Sequence, residues 1–189
     1  FIDGTIFDIC RVRGRNNTQE AFCDGHHHRH ALGMQGVIGP NGLLLDIWGM
    51  YAGRRHDEFF VNDSGVNTRM RDCQEGNVVQ YKIMGDKAYS VRSHIGSPFV
   101  GSNVSAEQRA FNLSLSRLRV CVEHGFGKMK KVMSSFVTYE KRMQLFSSPG
   151  GRYFVNAAIL ANCHTCLNGS QVGQYFDVSP PTIQEFLGV

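Results

Sequence analysis

The chain lacks the features of an exported or membrane-spanning protein. It has no apolar run that approaches the roughly 20 residues of a membrane helix, and no basic segment followed by an apolar one stands at its start. Its six cysteines are scattered over 189 residues, a length that needs no disulfide staples, so we expect free thiols in a reducing compartment. Methionine is also absent from the first position, where Phe1 opens directly into an apolar segment. We interpret the sequence as a fragment of a longer protein.

Composition predicts a single globular domain, and the net charge of the chain is small. A chain of 189 residues with 42% hydrophobic content is long enough for one sizeable core and short for two domains. Twenty basic residues against sixteen acidic ones give a net charge of +4, which favours polyanionic partners only mildly. Charge alone therefore does not identify the partner.

Three segments in the first fifty residues have the pattern of antiparallel strands. Residues 1–9 mix apolar and polar side chains as a half-buried strand does, and residues 31–38 and 43–51 are two further apolar stretches. The last two are separated by Gly-Pro-Asn-Gly at 39–42, where Asn-Gly favours the positive φ angles of a tight hairpin turn.

Two helices are predicted in the second half of the chain. Apolar residues recur every three or four positions over 105–133, and the segment opens with a serine and a glutamine spaced as a capping box. Gly125 and Gly127 each cost about 1 kcal/mol inside a helix, so we expect the helix to end near them or another element to pack very closely there. A second helix is expected over 152–167, and the remaining residues form a peripheral tail.

Three carboxylates stand in short motifs that could converge on a metal ion. Asp3 lies in the first strand, Asp86 follows a brief apolar run that predicts another strand, and Glu123 lies on the long helix. A carboxylate next to buried strands is costly without a cation, and oxygen-only ligands suit Mg²⁺ or Mn²⁺. The alternatives are local roles: Glu123 could pair with Arg119, Asp86 could cap a turn, and Asp3 could pair with a lysine.

The order of the motifs resembles the DDE transposase-type nucleases of the Harbinger class, including transposase-derived nucleases that have lost mobility. The resemblance covers essentially the whole chain, although His124 stands where the family often has arginine. It rests on Asp3-Gly4-Thr5, His56-Asp57 after a glycine-containing turn, Gly85-Asp86-x-x-Tyr89, Phe111-Asn112, and a basic helix with Glu123, Phe126-Gly127 and Lys130.

The resemblance implies a fold, a reaction and a set of site residues. The fold would be α/β, a ribonuclease H-like mixed sheet of three antiparallel strands and then parallel strands, flanked by helices, over 1–167, with a C-terminal tail at 168–189. Asp3, Asp86 and Glu123 would hold divalent Mg²⁺ or Mn²⁺ and cleave DNA phosphodiester bonds by a two-metal mechanism, the ions about 4 Å apart. His56 and Asp57 would support the site.

The resemblance also implies partners and a location. It implies DNA as substrate and a nuclear location, with a separate DNA-binding protein as a further candidate partner, and an oligomer is compatible with it. We expect that this fragment lacks an N-terminal DNA-binding region. Basic side chains on the long helix would contact phosphates by position, not sequence, against the alternative of a merely solvated face. They are Arg117, Arg119, Lys128, Lys130 and Lys131.

Two other functions remain open from the sequence. A domesticated relative could keep the fold as a non-catalytic DNA- or protein-binding scaffold, although none of the three carboxylates is missing. A zinc-stabilised binding module is the weaker alternative, in which Cys163 and Cys166 would join Cys23 and the nearby histidines at 26–28 and 30. Buried free thiols on an apolar helix are the simpler interpretation of that cysteine pair.

Overall fold

The computed structural model describes residues 1–13, 16–25, 28–53, 55, 57–134, 143–144 and 149–189; for 16, 17, 57, 121 and 133 the description is of the backbone only. The strands are β1 (Ile2–Asp8), β2 (Cys23–Asp24), β3 (Arg29–Ile38), β4 (Leu44–Ala52), β5 (Ile83–Met84) and β6 (Ile95–Gly96). The helices are α1 (Asn16–Phe22), α2 (Asp57–Ser64), α3 (Val66–Gln74), α4 (Ala106–Met133), α5 (Gly150–Asn168), α6 (Gln171–Phe176) and α7 (Ile183–Leu187).

The central strand of the main sheet is β3, which pairs antiparallel with β1, β2 and β4. The predicted hairpin joins β3 to β4: Gly42 has a φ of 81°, and Asn41 Oδ1 accepts the Leu43 N–H at 3.2 Å. The prediction of three antiparallel strands near the start of the chain is confirmed.

Helices cover both faces of this sheet, and two glycines of β3 show how closely. Phe60 of α2 packs on Gly33, and Phe126 of α4 packs on Gly36; a Cβ added at either glycine would stand 2.8 Å from the ring. Side chains three residues apart on a strand lie on opposite faces. The sheet is therefore a middle layer, with α2 and α3 on one face and α4 and α5 on the other.

A second, two-stranded parallel sheet forms from β5 and β6. Within the described residues it is hydrogen-bonded separately from the main sheet, but it packs against β1: a Cβ at Gly85 would stand 3.1 Å from Ile2 Cγ2. The chain thus has a mixed α/β architecture with an antiparallel sheet and a parallel pair flanked by helices.

The predicted long helix is α4, and its capping box is present: Ser105 Oγ accepts the Gln108 N–H, and the Gln108 side chain accepts the Ser105 N–H. The helix runs through both glycines. At Gly125 an added Cβ would lie 2.1 Å from Ile38 Cδ1, whereas nothing lies within 4 Å at Gly127. Close packing therefore explains the first glycine but not the second.

The predicted second helix is confirmed as α5, and the tail after it contains α6 and α7. Val172 of α6 is buried, and Ser170 caps that helix by accepting the Gly173 N–H at 2.9 Å. No helix in the described ranges is both long enough and apolar enough to cross a membrane.

Candidate active site

Asp3 lies on β1, on the face of the sheet that α4 covers. Its register partner on β3 is Gly36, against which Phe126 packs. Asp3 Oδ1 accepts the Gly4 N–H at 2.9 Å, and Oδ2 lies 3.5 Å from Nη2 of Arg119. The Asp3 side chain is 17% exposed, so most of its hydration is lost and compensation from a single long ion pair is incomplete.

Asp86 follows β5 in a turn that its own motif builds. Asp86 Oδ1 accepts the Ala88 N–H at 2.7 Å, and its backbone carbonyl accepts the Tyr89 N–H at 3.2 Å. The buried Tyr89 ring covers Gly85, where an added Cβ would stand 2.7 Å from Tyr89 Cδ2. Glycine is needed there because any side chain would displace either the tyrosine or Ile2 of β1. The Gly-Asp-x-x-Tyr spacing thus sets Asp86 beside the first strand.

The residues that follow this turn are anchored to α2. Glu58 Oε2 accepts the Ser90 N–H at 3.1 Å, and Glu58 Oε1 accepts from Arg92 Nη2. Arg92 also donates to Asn62 Oδ1 at 2.7 Å. Burial raises the pKa of the Glu58 carboxyl, but the Ser90 N–H and the Arg92 guanidinium outweigh it and leave the pKa below its usual value. The charged form of Glu58 therefore holds the Asp86 turn against α2.

Asp3 and Asp86 come close enough to affect one another electrostatically. The pKa of Asp3 is raised above its usual value because burial raises it and the negative charge of Asp86 raises it further, while the Gly4 N–H and Arg119 lower it only in part. Asp86 Oδ2 accepts no hydrogen bond from the described residues. Each aspartate is therefore oriented by a backbone N–H through one oxygen, while the other oxygen of Asp3 faces Arg119.

Glu123 lies on α4 between the two contacts that join this helix to the site. Arg119, one turn earlier, reaches Asp3, and Phe126, nearly one turn later, packs on Gly36. Glu123 itself is exposed and makes no ion pair with any described residue. The alternative in which Arg119 pairs with Glu123 is wrong, because the ion pair of Arg119 is with Asp3. The alternative in which Asp86 caps a turn is confirmed, and that cap uses only one of its oxygens.

The carboxylates do not form a closed metal site as they stand. Across the described ranges, no group of three or more histidine, cysteine, aspartate or glutamate side chains is arranged to hold a metal ion. The donor set nevertheless suits a hard divalent cation, because it consists of carboxylate oxygens alone. Burial is the largest cause of the raised pKa of Asp3, and a cation beside the carboxylate would offset that cost. The residues present therefore fit Mg²⁺ or Mn²⁺ in chemistry.

A family comparison decides the relationship of the chain. The family model described as DDE superfamily endonuclease matches residues 2–162. The chain belongs to this family. The match confirms the resemblance to transposase-derived DDE nucleases and includes all three carboxylates. No curated protein and no solved structure matches the chain.

The basic residues predicted on the long helix of this DDE endonuclease domain lie on different sides of it. Arg119 contacts Asp3, and Lys130 Nζ lies 5.2 Å from the ring centroid of Phe7 on β1. Lys128 is directed towards α5, where its Nζ donates to Thr165 Oγ1 at 2.8 Å and to the Gly169 carbonyl at 3.3 Å. Arg117 and Lys131 are exposed. The five do not form one stripe.

Three further predictions concern residues on other elements. His56 and the Asp57 side chain, predicted to support the site, lie outside the described residues, although the backbone of Asp57 begins α2. The histidines at 26 and 27 lie outside them as well. Cys163 and Cys166 are free and partly buried, and burial raises the pKa of the Cys166 thiol.

Two contributions to the site were missed from the sequence. Glu58 attracts notice only as an acidic residue at a helix start, and Arg92 has no motif of its own. Their pairing joins two segments over thirty residues apart, which no local pattern indicates. The nearest sequence signal is that Glu58 directly follows the His56-Asp57 motif of the family.

Proposed function

We propose that this chain is the catalytic domain of a divalent-metal-dependent DNA endonuclease or transposase, with a ribonuclease H-like fold over 1–167 and a tail at 168–189. The observation that carries the proposal is the packing of Gly85, which precedes Asp86, on Ile2, which precedes Asp3, beside the helix that bears Glu123. The fold assignment is supported by three antiparallel strands followed by a parallel pair that packs on β1 through Gly85.

Asp3, Asp86 and Glu123 would hold Mg²⁺ or Mn²⁺ in a two-metal arrangement. When bound, such ions act as Lewis acids on the phosphodiester and favour deprotonation of the attacking hydroxyl or water. The protein contributes orientation: the Gly4 N–H and the Ala88 N–H each fix one carboxylate oxygen, as hydrogen bonds to ligating carboxylates do in metal sites. Arg119 would supply positive charge to Asp3 when no metal ion is bound.

The DNA backbone would be positioned by the basic side chains of α4. Arg117 is exposed and free to contact phosphate, and Lys130 and Lys131 extend the positive surface towards the helix C-terminus. A nuclear location, an additional DNA-binding partner and assembly into an oligomer all belong to this proposal. They are supported by the family and by nothing else.

The test is DNA nicking with Mg²⁺ or Mn²⁺. We expect the full chain to convert supercoiled plasmid to the nicked form, and Asp86→Asn and Glu123→Gln to lower the rate by at least roughly 100-fold, because each removes several kcal/mol of transition-state stabilisation. Asp72→Asn and Glu107→Gln are matched controls, since both carboxylates are exposed and Glu107 lies on the same helix. Equal rates in the site variants and the controls would show that the carboxylates are not catalytic.

A non-catalytic scaffold is the second candidate, favoured by one observation. The ion pair between Arg119 and Asp3 gives Asp3 a cationic partner that belongs to the protein itself. A folded protein that binds DNA, does not nick it with either metal, and keeps its biological activity as Asp86→Asn would identify a scaffold.

A further inference from the structure

A cleft of about 570 Å³ opens where α4, α5 and α6 meet the β3–β4 turn. We call it the α4–α6 cleft. Four basic side chains line it, and none of its described lining residues is acidic. The four basic residues are His124, Lys128, Lys131 and His164.

Tight packing and hydrogen bonds fix the position of the residues that form the walls of the α4–α6 cleft. Gly42, at a φ of 81°, packs so tightly on the α5–α6 junction that an added Cβ would stand 2.0 Å from Ser170 Oγ. Ser170 Oγ also donates to the Asn41 carbonyl at 3.2 Å, and Val172 is buried beneath α6. The opposite wall is open at Gly127, where nothing lies within 4 Å of an added Cβ. The fold therefore forms this cleft before any ligand arrives.

The charges in the α4–α6 cleft select an anion. Two of the three N–H groups of the Lys128 ammonium are used, by Thr165 Oγ1 and the Gly169 carbonyl, which fixes the ammonium in the wall and leaves one donor for a ligand. Partial burial lowers the pKa of Lys128, and an anion would offset that cost. Lys131 and His164 are exposed, so their side chains can also contact an anion in the cleft.

The position of the α4–α6 cleft relates it to the carboxylate site. His124 directly follows Glu123, and Lys131 lies eight residues beyond Glu123, about 12 Å along the helix axis. Lys128 nevertheless lies on the side of α4 opposite Arg119, which contacts Asp3, so the cleft and the carboxylates open on different sides of the same helix. We propose that the α4–α6 cleft binds a backbone phosphate of DNA that passes over α4 outside the carboxylate site. This inference rests on the proposed function for the identity of its ligand.

The test is DNA binding without cleavage, measured in EDTA over a series of salt concentrations. Lys131→Gln removes one charge from a side chain that makes no hydrogen bond to the described residues, and Gly127→Phe fills the open wall without removing charge. We expect Lys131→Gln to lower the slope of log affinity against log salt by about 0.9, and both variants to bind several-fold more weakly. Lys82→Gln and Gly127→Ala are the controls, because Lys82 is exposed outside the cleft.

Affinities and slopes of both variants within twofold of their controls would overturn the inference. A second arm uses inorganic phosphate and a mononucleotide as probes: if either raises the melting temperature of the wild type but not of Lys131→Gln, while DNA affinity is unchanged, the cleft serves a small phosphate compound and the DNA assignment is wrong. A protein that shows the expected binding defects yet never nicks DNA would contradict the proposed function and leave the cleft as a phosphate site.

Discussion

Substitution of the two glycines of α4 by alanine should change stability in opposite directions. In Gly127→Ala the new methyl group meets open space, so the helix gains the propensity difference of about 1 kcal/mol. In Gly125→Ala the same gain is set against a Cβ placed 2.1 Å from Ile38 Cδ1. Because Ile38 is fully buried, it cannot swing away, and overpacking of this kind costs about 1–3 kcal/mol.

The two variants should therefore differ by about 1–3 kcal/mol in their free energy of unfolding. In a chain of this size each kcal/mol shifts the melting temperature by roughly 2–4 °C. Thermal and urea unfolding followed by circular dichroism measure the difference, and each variant is the control of the other. The comparison matters for the site because the contacts of Gly125 and Phe126 with β3 determine how α4 presents Glu123. Equal stabilisation of both variants would contradict the close packing of α4 on β3 at Gly125.

Two further predictions concern a buried amide and a buried acid. Asn162→Ala should destabilise the fold by about 2–6 kcal/mol. Asn162 is buried and pairs with both the N–H and the carbonyl of Leu44, at 2.8 and 2.9 Å, and each unsatisfied group costs about 1–3 kcal/mol. Asp3→Asn should raise the free energy of unfolding of the metal-free protein. The pKa of Asp3 in the folded state is raised above 3.8, so the wild type loses stability as the pH rises from that value through the folded pKa. The variant has no carboxyl group at this position and should not lose it.

Both predictions have sharp controls. Asn168→Ala removes an exposed amide whose bond is to the His164 carbonyl one turn earlier, so its cost should stay within about 0.5 kcal/mol; an equal cost at Asn162 would mean that Leu44 finds other partners. For Asp3, urea unfolding in EDTA at several pH values compares the variant with the wild type. Parallel stability curves would show that the carboxylate is not disfavoured in the folded state.

The elements of this fold were readable where a local pattern determines them. The turn at 39–42, the apolar stretches beside it and the capping box of α4 are each specified by neighbouring residues. The two glycines of α4 predicted either a helix end or a close contact, and the structure shows the contact at Gly125, with Ile38, and neither at Gly127. No local pattern predicted that β5 pairs with β6, because each strand has two residues and two residues show no periodicity.

The basic partners of the candidate site could not be predicted from the sequence. Sequence order and motifs predict a site at Asp3, Asp86 and Glu123, yet the choice of Asp3 as the partner of Arg119 depends on which side of α4 lies over β1. The sequence spacing did indicate that Lys128 and Arg119 lie on different sides of α4. Nine residues amount to two and a half helical turns, so the two side chains must lie on opposite sides. Only the tertiary structure shows that Lys128 then faces α5.

The measurement that tests the central claim most directly is a calorimetric titration of the metal-free protein with Mn²⁺. We predict saturable binding that is weakened at least roughly 100-fold in Asp86→Asn and in Glu123→Gln, since loss of an outer-shell partner alone costs 10–100-fold, and that is unchanged in Glu107→Gln. The same affinity in Glu123→Gln as in the wild type would contradict the account, because it would remove the helix α4 carboxylate from the metal site.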